Sequence, residues 1–356
     1  MVSEATRKLR VVVVDDSALN RSRIGALLAA TGEVEVVGEA SDGQEALTLV
    51  FQLKPDAVTL DLEMPRMDGF TFLRLLMSKQ PTPVLVVSRH SEKENVFKAL
   101  EFGAIDFLEK PSKWSEVEPA ALREQLLGKI TLMRSLITER RALRPVQPPE
   151  RAPRAKPGGD PRRAPRMPAR HVVAIASSAG GPAALLEIFS QIPERAPIAI
   201  LVAQHMPDRF TATFAKRLEH RSKLSVSEAR DGDPVVAQRG FVCPGDRCME
   251  LQLAENGVDL CVRVVPPRAN DRYVPSADRL LQSVARVAGP RAVAVVLTGM
   301  GDDGAQGAQA IRRNRGTVIV ESLETAVVPG MPTAAAPSAH QVLALGEIAK
   351  FLAELS

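Results

Sequence analysis

The sequence predicts an α/β protein with two parallel-sheet domains, and three observations support this. Apolar runs of strand length alternate with stretches of helical periodicity, a pattern typical of strand–helix–strand units in a parallel sheet. One segment rich in proline and arginine interrupts the alternation near the middle of the chain. The length of 356 residues is too great for one small core and indicates two domains of about 100–200 residues each.

The first domain is predicted over residues 1–130 as a doubly wound (βα)5 unit. Its apolar runs are short and rich in valine and leucine, as expected of strands buried in a parallel sheet. The predicted strands are Arg10–Val14, Val34–Glu39, Ala57–Leu60, Val84–Val87 and Ile105–Leu108, and the helical stretches include Leu19–Ala30, Gly43–Gln52 and Lys93–Phe102. Such a sheet collects all strand carboxyl ends at one edge, where ligands bind.

Residues 131–170 are predicted to form a helical extension followed by a Pro/Arg-rich linker. The stretch 141–170 contains eight arginines, one lysine and two acidic residues, a net charge of +7. Without it, the formal charge of the chain falls from +4 to −3, so the basic excess lies in this segment and does not indicate nucleic-acid binding. An extended spacer is the expected structure. A basic tether that contacts an acidic partner or a membrane surface is the alternative.

The second domain is predicted over residues 171–356 as an α/β parallel sheet of the Rossmann-like type. Its predicted strands are His171–Ala176, Ile198–Ala203, Ala292–Leu297, Thr317–Val320 and Gln341–Leu345. The stretch 240–265 differs, because Asn256-Gly257 stands between two alternating apolar runs. That pattern predicts a β-hairpin.

Composition favours a cytoplasmic protein that is not inserted in a membrane. The uninterrupted apolar run before the first aspartates has only four residues, too few for a signal peptide, and no run reaches the roughly 18 that a membrane span needs. The three cysteines, Cys243, Cys248 and Cys261, are few and odd in number, which favours reduced thiols. A metal site at Cys243 and Cys248 is the alternative.

Polar residues end the predicted strands of the first domain. Asp15 and Asp16 follow the first strand, Asp61 the third, Ser88 the fourth and Lys110 the fifth. Three carboxylates at one edge repel each other, and a hard, oxygen-preferring cation such as Mg²⁺ would neutralise them. A hydroxyl and an ammonium beside them are suited to a phosphoryl group.

Three residues at the strand ends of the second domain have the chemistry of a hydrolase triad. Ser178, His205 and Asp303 offer a hydroxyl nucleophile, an imidazole base and a carboxylate that can fix the imidazole tautomer. The residue types alone leave Ser177 open as the nucleophile and Asp302 open as the acid.

Glycines near these residues predict backbone donors for an oxyanion. Gly180 and Gly181 allow close approach of a substrate, and Pro182 is typical of the first turn of a helix whose N–H groups would face the site. A second glycine-rich turn around Asp303 is expected to expose further N–H groups to a tetrahedral intermediate; its glycines are Gly299, Gly301 and Gly304.

The first domain resembles response-regulator receiver domains, and those of chemotaxis methylesterases in particular. The resemblance rests on the motifs VVDDS at 13–17, LDLEMPRMDG at 60–69 and GAIDFLEKP at 103–111. It implies that Asp61 accepts a phosphoryl group. The other roles that it implies are Mg²⁺ binding by Asp15, Asp16 and Asp61 with the Glu63 carbonyl, phosphoryl contacts from Ser88 and Lys110, and an aromatic switch position at Phe107.

The second domain resembles the catalytic domain of the same family, the chemotaxis protein-glutamate methylesterases/glutamine deamidases (CheB). The motifs are ASSAGG at 176–181, QHMPDRFT at 204–211, DGD at 231–233, PGDRCM at 244–249, PSAD at 275–278, LTGMGDDGAQG at 297–307 and PGMPTAAA at 329–336. The resemblance implies Ser178 as nucleophile, His205 as base and Asp303 as its partner, in preference to Ser177 and Asp302. It further implies that the Met300 N–H is an oxyanion donor.

Three positions depart from the family pattern. Ala179 stands where threonine is common, Cys248 where histidine is common, and Val274 where arginine is common. None is a triad residue, so the departures bear on rate and receptor specificity.

The resemblance implies a phosphorylation-regulated enzyme that hydrolyses glutamate γ-methyl esters on methyl-accepting chemoreceptors and deamidates certain glutamines there. A chemotaxis histidine kinase would supply the phosphoryl group, and the hydrolase reaction would need no cofactor. Two alternatives are an adaptor that binds receptor or kinase without turnover and a serine hydrolase of another cytoplasmic ester.

Overall fold

The computed structural model describes residues 7–88, 93–110, 126, 129, 133 and 167–355. Contacts divide the chain into two compact units, Met1–Glu150 and Arg151–Ser356. The predicted helical extension and linker lie outside the described residues, apart from Met133 and 167–170, and so does the predicted domain boundary at residue 130. Those two predictions are therefore not tested.

The N-terminal unit contains a five-stranded, wholly parallel sheet in the order β2-β1-β3-β4-β5. Its strands are β1 (Leu9–Val14), β2 (Val34–Ala40), β3 (Ala57–Leu60), β4 (Val84–Ser88) and β5 (Asp106–Glu109). The strand order reverses between β1 and β3, and this switch point opens a crevice at their carboxyl ends. The predicted doubly wound fold is confirmed.

Four described helices cover this sheet: α1 (Ala18–Ala29), α2 (Gly43–Leu53), α3 (Gly69–Lys79) and α4 (Lys93–Glu101). The first three begin at side-chain caps. Ser17 accepts from the Asn20 N–H, Asp42 caps α2, and Asp68 caps α3. Each cap satisfies a backbone N–H that the helix itself cannot pair, so the sequence fixes where these helices begin.

The C-terminal unit contains a seven-stranded sheet in the order β14-β13-β12-β6-β7-β9-β8. Its strands are β6 (His171–Ser177), β7 (Ile198–Gln204), β8 (Ser225–Glu228), β9 (Arg239–Val242), β12 (Ala292–Val296), β13 (Thr317–Glu321) and β14 (Gln341–Leu343). Every pairing is parallel, which confirms the predicted sheet type. Two strands, β8 and β9, were not predicted, and the stretch assigned to the hairpin in fact begins with residues of β9.

The predicted hairpin is present as β10 (Cys248–Leu253) paired antiparallel with β11 (Leu260–Val265). In its turn the Asn256 side-chain oxygen accepts from the N–H groups of Val258 and Asp259, and Gly257 has a φ of +68°. The described helices of this unit are α5 (Gly181–Gln191), α6 (Asp208–Arg221), α7 (Ala277–Ala288), α8 (Ala305–Arg313), α9 (Gly330–Ala335) and α10 (Leu345–Ala353).

The central strands of this sheet are buried almost completely. All residues of β7, and all of β6 after its first, lie in the interior. Strand order reverses between β6 and β12, so the crevice of this domain lies where these two strands end. Within the described ranges, no helix is both long and apolar enough to span a membrane.

Candidate active site and phosphoacceptor site

Ser178 and His205 follow directly on two adjacent strands. β6 ends at Ser177 and β7 at Gln204, and these two residues are paired in the parallel register. The His205 N–H donates to the Ser177 carbonyl at 3.0 Å. The sheet therefore brings the predicted serine and histidine to one edge, as the sequence predicted.

Ser177 and Ser178 have different surroundings. Ser177 is fully buried, and its hydroxyl donates to Gln204 Oε1 at 2.7 Å. Ser178 is half-buried, and its hydroxyl has no hydrogen-bond partner within the described ranges of the chain. Of the two hydroxyls, that of Ser178 is the one open to a substrate.

Gln204 links the turn that contains Ser178 to the turn that contains His205, a role that the sequence did not reveal. Its side chain is buried, and its amide nitrogen donates to the carbonyls of Ser178 and His205, both at 2.9 Å. The same amide accepts from Ser177. One side chain thus fixes both turns, and an isolated glutamine at a strand end carries no sequence signal for such a role.

The imidazole of His205 lies against Asp303. Its Nε2 is 2.9 Å from Asp303 Oδ2, and the carboxylate is buried. Asp303 also accepts from the backbone N–H groups of Ala277 at 2.7 Å and Asp278 at 2.8 Å, at the start of α7. A helix N-terminus favours negative charge, so this position stabilises the carboxylate that the histidine contacts.

Helices α7 and α8 exchange caps across the site. While Asp303 caps α7, Asp278 Oδ1 accepts from Gly304 at 2.9 Å and Gly307 at 2.7 Å, at the start of α8. Burial raises the pKa of Asp278, with the nearby charge of Asp303 adding to the shift, against the lowering effect of the Gly304 and Gly307 N–H groups. The position of Asp303 is therefore set by two helices together.

Tyr273, the single tyrosine of the chain, stacks on His205. The ring centroids are 5.2 Å apart and the planes differ by 8°. Its hydroxyl donates to Asp302 Oδ1 at 2.9 Å, and the exposed Arg272 also pairs with Asp302. Burial and the hydrogen bond to Asp302 raise the pKa of Tyr273, so the hydroxyl stays protonated and able to donate. Asp302 thus contacts the tyrosine, while Asp303 contacts the histidine.

The glycine-rich turn offers fewer free donors than the sequence suggested. The Gly299 N–H donates to the Val328 carbonyl and that of Gly304 to Asp278, so neither is available. The Met300 N–H has no acceptor in the described part of the chain. A Cβ at Gly299 would lie 2.8 Å from the Ser178 Cβ, so the turn packs directly against the serine.

Thr298 connects the glycine-rich turn to the turn that contains Ser178. Its carbonyl accepts from the Ser178 N–H at 3.0 Å, and its hydroxyl donates to the Ala179 carbonyl at 2.9 Å. The same hydroxyl accepts from the Val328 N–H at 2.8 Å. The buried Thr298 side chain therefore places a hydroxyl against the backbone of Ala179, the first of the three departures noted in the sequence.

The other two departures lie in different places. Val274 is exposed, next to Tyr273. Cys248 is buried and its Sγ lies 3.7 Å from Asp271 Oδ2, whereas Cys243 Sγ lies near the carbonyls of Pro244 and Arg247. All three cysteines are unpaired and buried, and burial raises the pKa of Cys243 well above its ordinary value.

In the N-terminal unit, the predicted acidic residues converge. Side-chain oxygens of Asp15, Asp16 and Asp61 all lie within 4.8 Å of one another. The buried Lys110 Nζ is 2.7 Å from Asp15 Oδ2 and also contacts Asp61 Oδ2. Three carboxylates this close are a donor set that fits Mg²⁺, since that ion prefers oxygen ligands and its charge offsets their repulsion.

The remaining predicted residues lie in β4, in β5 and just after β3. Ser88 is buried at the end of β4, and its carbonyl accepts from the Lys110 N–H at 2.7 Å. Glu63 is exposed two residues beyond Asp61, and Phe107 is buried in β5. Lys110 thus contacts Asp61, while the phosphoryl contact of Ser88, the metal contact of the Glu63 carbonyl and the switch role of Phe107 stay predictions.

Family models match both parts of the chain. A model described as "Response regulator receiver domain" matches residues 11–121, and one described as "CheB methylesterase" matches residues 173–352. The crystal structure of the Thermotoga maritima CheB methylesterase catalytic domain aligns with 38% identity and a TM-score of 0.50, covering 52% of this chain and 98% of that one.

Curated relatives match over nearly the whole chain. Protein-glutamate methylesterase/protein-glutamine glutaminase 3 of Geobacter sulfurreducens is 47% identical, covering 92% of this chain and 91% of the relative. Protein-glutamate methylesterase/protein-glutamine glutaminase 1 of Myxococcus xanthus is 44% identical, covering 98% and 97%. With a receiver domain before the hydrolase domain, this chain belongs to the CheB methylesterase family.

Proposed function

We propose that this protein hydrolyses glutamate γ-methyl esters on methyl-accepting chemoreceptors and deamidates selected glutamines on the same receptors. One observation carries the chemical part of the proposal: a His205–Asp303 pair at 2.9 Å, next to the half-buried Ser178, at the switch point of the sheet. The names of the relatives support the substrate class, and receptor binding is our inference from them.

In the proposed reaction, Ser178 Oγ attacks the side-chain carbonyl carbon of the substrate. His205 takes the hydroxyl proton at Nδ1, since Nε2 is occupied by Asp303, and the buried carboxylate stabilises the imidazolium that forms. The tetrahedral intermediate carries its negative charge on the former carbonyl oxygen, which the Met300 N–H would stabilise. Such a donor contributes about 3 kcal/mol or more to lowering the barrier.

His205 then gives its proton to the leaving group. The tetrahedral intermediate collapses and expels methanol from an ester, or ammonia from a glutamine. A glutamyl ester on Ser178 remains. Water then attacks that ester while His205 takes its proton, and the same steps in reverse release glutamate and the free serine. The two substrates form different tetrahedral intermediates but converge on the same glutamyl ester of Ser178, so one site serves both reactions.

The receiver domain is proposed to regulate this reaction through phosphorylation of Asp61 by a chemotaxis histidine kinase. Asp15, Asp16, Asp61 and the Glu63 carbonyl would hold Mg²⁺, which supplies charge neutralisation during phosphoryl transfer. Lys110 already contacts Asp61 and would pair with a phosphoryl oxygen, and the hydroxyl of Ser88 would bind another. We propose residues 1–130 as the receiver, 131–170 as the helical extension and linker, and 171–356 as the catalytic domain.

Methanol release from methylated receptor membranes tests the proposal. We expect release by the wild-type chain and none by Ser178→Ala. An adaptor would bind the membranes without releasing methanol from either protein. A hydrolase of another ester would likewise release no methanol here but would cleave small esters in a Ser178-dependent manner. Either result would overturn the proposed substrate.

A further inference from the structure

The stacked pair of Tyr273 and His205 is a feature that the proposed mechanism does not use. The rings are nearly parallel, with centroids 5.2 Å apart, and the histidine side chain is only 17% exposed. A ring placed flat against an imidazole restricts rotation of that imidazole about its own side-chain bonds. It also presents a face rich in π electrons to any positive charge on the histidine.

Tyr273 is itself held at the far end of its side chain. The hydroxyl donates to Asp302 at 2.9 Å, and Arg272 lies 3.3 Å from the same carboxylate. The Arg272 guanidinium is also 5.2 Å from the centroid of the tyrosine ring. Gly301 makes room for this arrangement, because a Cβ there would lie 2.4 Å from the tyrosine hydroxyl. The plane of the tyrosine ring is therefore fixed by contacts outside the His205–Asp303 pair.

The loop that carries Tyr273 is anchored by a buried arginine. Arg279 of α7 binds Asp271 Oδ2 at 2.6 Å and Glu250 of β10 at 2.7 Å. Asp271 also accepts from the Arg268 N–H at 2.7 Å, which closes the loop on itself. The first N–H groups of α7 donate to Asp303, and Arg279 in the same helix anchors the loop of Tyr273, so one helix holds both the loop and the carboxylate.

We propose that Tyr273 is a positioning residue that holds the His205 ring in the plane required for proton transfer from Ser178 and stabilises the imidazolium by its ring face. The proposal rests on the proposed function, since it assigns a role in that proton transfer. It also gives Asp302 a role distinct from that of Asp303: Asp302 anchors the tyrosine, and Asp303 anchors the histidine.

The test compares Tyr273→Leu with Tyr273→Phe in the full chain, using methanol release from methylated receptor membranes. Leucine removes the ring, and phenylalanine keeps the ring but loses the hydroxyl. We expect Tyr273→Leu to lower kcat about tenfold with KM within about twofold of the wild type, because a misplaced base slows the chemical step. We expect Tyr273→Phe to recover most of the loss, to within about threefold of the wild type.

A solvent deuterium isotope effect on kcat separates positioning from partial misfolding. A smaller fraction of folded enzyme lowers kcat but leaves the isotope effect unchanged. Slower proton transfer makes that step more rate-limiting, so we expect a larger isotope effect in Tyr273→Leu than in the wild type and in Tyr273→Phe. An unchanged isotope effect, a change in KM alone, or equal losses in the two variants would each refute the positioning role.

Failure of this inference is distinguishable from failure of the proposed function. If the wild type releases no methanol, or if Ser178→Ala still releases it, the proposed reaction is wrong and the inference falls with it. If the wild type is active, Ser178→Ala is inactive and Tyr273→Leu behaves as the wild type, only the role of Tyr273 is refuted.

Discussion

The Ser177 hydroxyl donates a 2.7 Å hydrogen bond to the side-chain oxygen of Gln204 in the interior of the catalytic domain. This bond gives the first of two adjacent serines a structural partner and leaves the second open to a substrate. The two hydroxyls are therefore expected to respond differently to mutation.

We predict that Ser178→Ala abolishes methanol release with little change in stability, whereas Ser177→Ala keeps most of the activity. Loss of the Ser177 hydroxyl leaves Gln204 Oε1 without its donor, which costs about 1–3 kcal/mol of stability. Methanol release and urea unfolding, measured on both variants, check the two expectations. If Ser177→Ala were inactive while folded and Ser178→Ala active, the nucleophile assignment would be reversed.

Gln204→Glu is predicted to lower kcat by about tenfold or more and to destabilise the catalytic domain. The substitution keeps the shape but replaces the donor that binds the Ser178 and His205 carbonyls with a carboxylate that faces them in the interior. The matched control is Gln191→Glu, the same change at an exposed residue that ends α5, which should behave as the wild type. Similar kcat values for the two variants would contradict the linking role of Gln204.

Asp303→Asn is predicted to lower kcat by about 10³- to 10⁴-fold, since an amide cannot fix the imidazole tautomer or balance the imidazolium. Unlike Ser178→Ala, it should also reduce the free energy of unfolding, by about 1–3 kcal/mol. The carboxylate accepts from His205 and from two N–H groups of α7, and an amide offers only one oxygen for them. Asp302→Asn is the control and is expected to lose far less activity, because its carboxylate contacts Tyr273.

Asp61→Asn is predicted to block labelling of the chain by acetyl phosphate in the presence of Mg²⁺. In the wild type we expect labelling, and a faster release of methanol once labelled. Chelation of the metal should prevent labelling, because the three clustered carboxylates would then repel the incoming phosphoryl group. Label that persisted in Asp61→Asn would place the phosphoacceptor elsewhere.

Asp42 is predicted to contribute a pH-dependent part of the stability of the receiver domain. The Glu45 N–H lowers the pKa of Asp42, and the Arg66 guanidinium and the Gln44 N–H add to this against the effect of burial. Because the folded pKa lies below the unfolded value of about 3.9, the contribution is present above about pH 4 and is lost as the pH falls through the folded pKa. Urea unfolding should show Asp42→Asn less stable than the wild type at pH 6, with the difference shrinking below pH 4.

The sequence predicted those parts of the fold that depend on local pattern. Strands β6 and β7 are apolar apart from their terminal residues His171, Ser177 and Gln204, and they begin where predicted. The edge strand β8 was missed because its four residues, SVSE, include only one apolar side chain. The next strand, β9, is equally short and was merged with the hairpin that follows it.

The site was predictable where residue chemistry and strand ends coincide, and not where tertiary contact decides. Ser178, His205 and Asp61 stand directly after strands, so their convergence follows from the parallel sheet. Tyr273 lies in a loop, and its stacking on His205 depends on the anchoring of that loop by Arg279. Likewise, the Gly299 and Gly304 N–H groups are taken by partners that no local pattern reveals.

The exchange of caps between α7 and α8 means that Asp303 is under selection for stability as well as for catalysis, whereas Ser178 is under selection for catalysis alone. Asp303 accepts from the first N–H groups of α7, and Asp278 accepts from N–H groups at the start of α8, so loss of either aspartate would loosen the start of one helix. A descendant that abandoned hydrolysis would still lose stability if Asp303 were replaced, but nothing in its fold would require the Ser178 hydroxyl. In a family member that has lost its activity, an aspartate at this position would therefore indicate only that the scaffold is intact. The presence or absence of the serine would indicate whether hydrolysis is still possible.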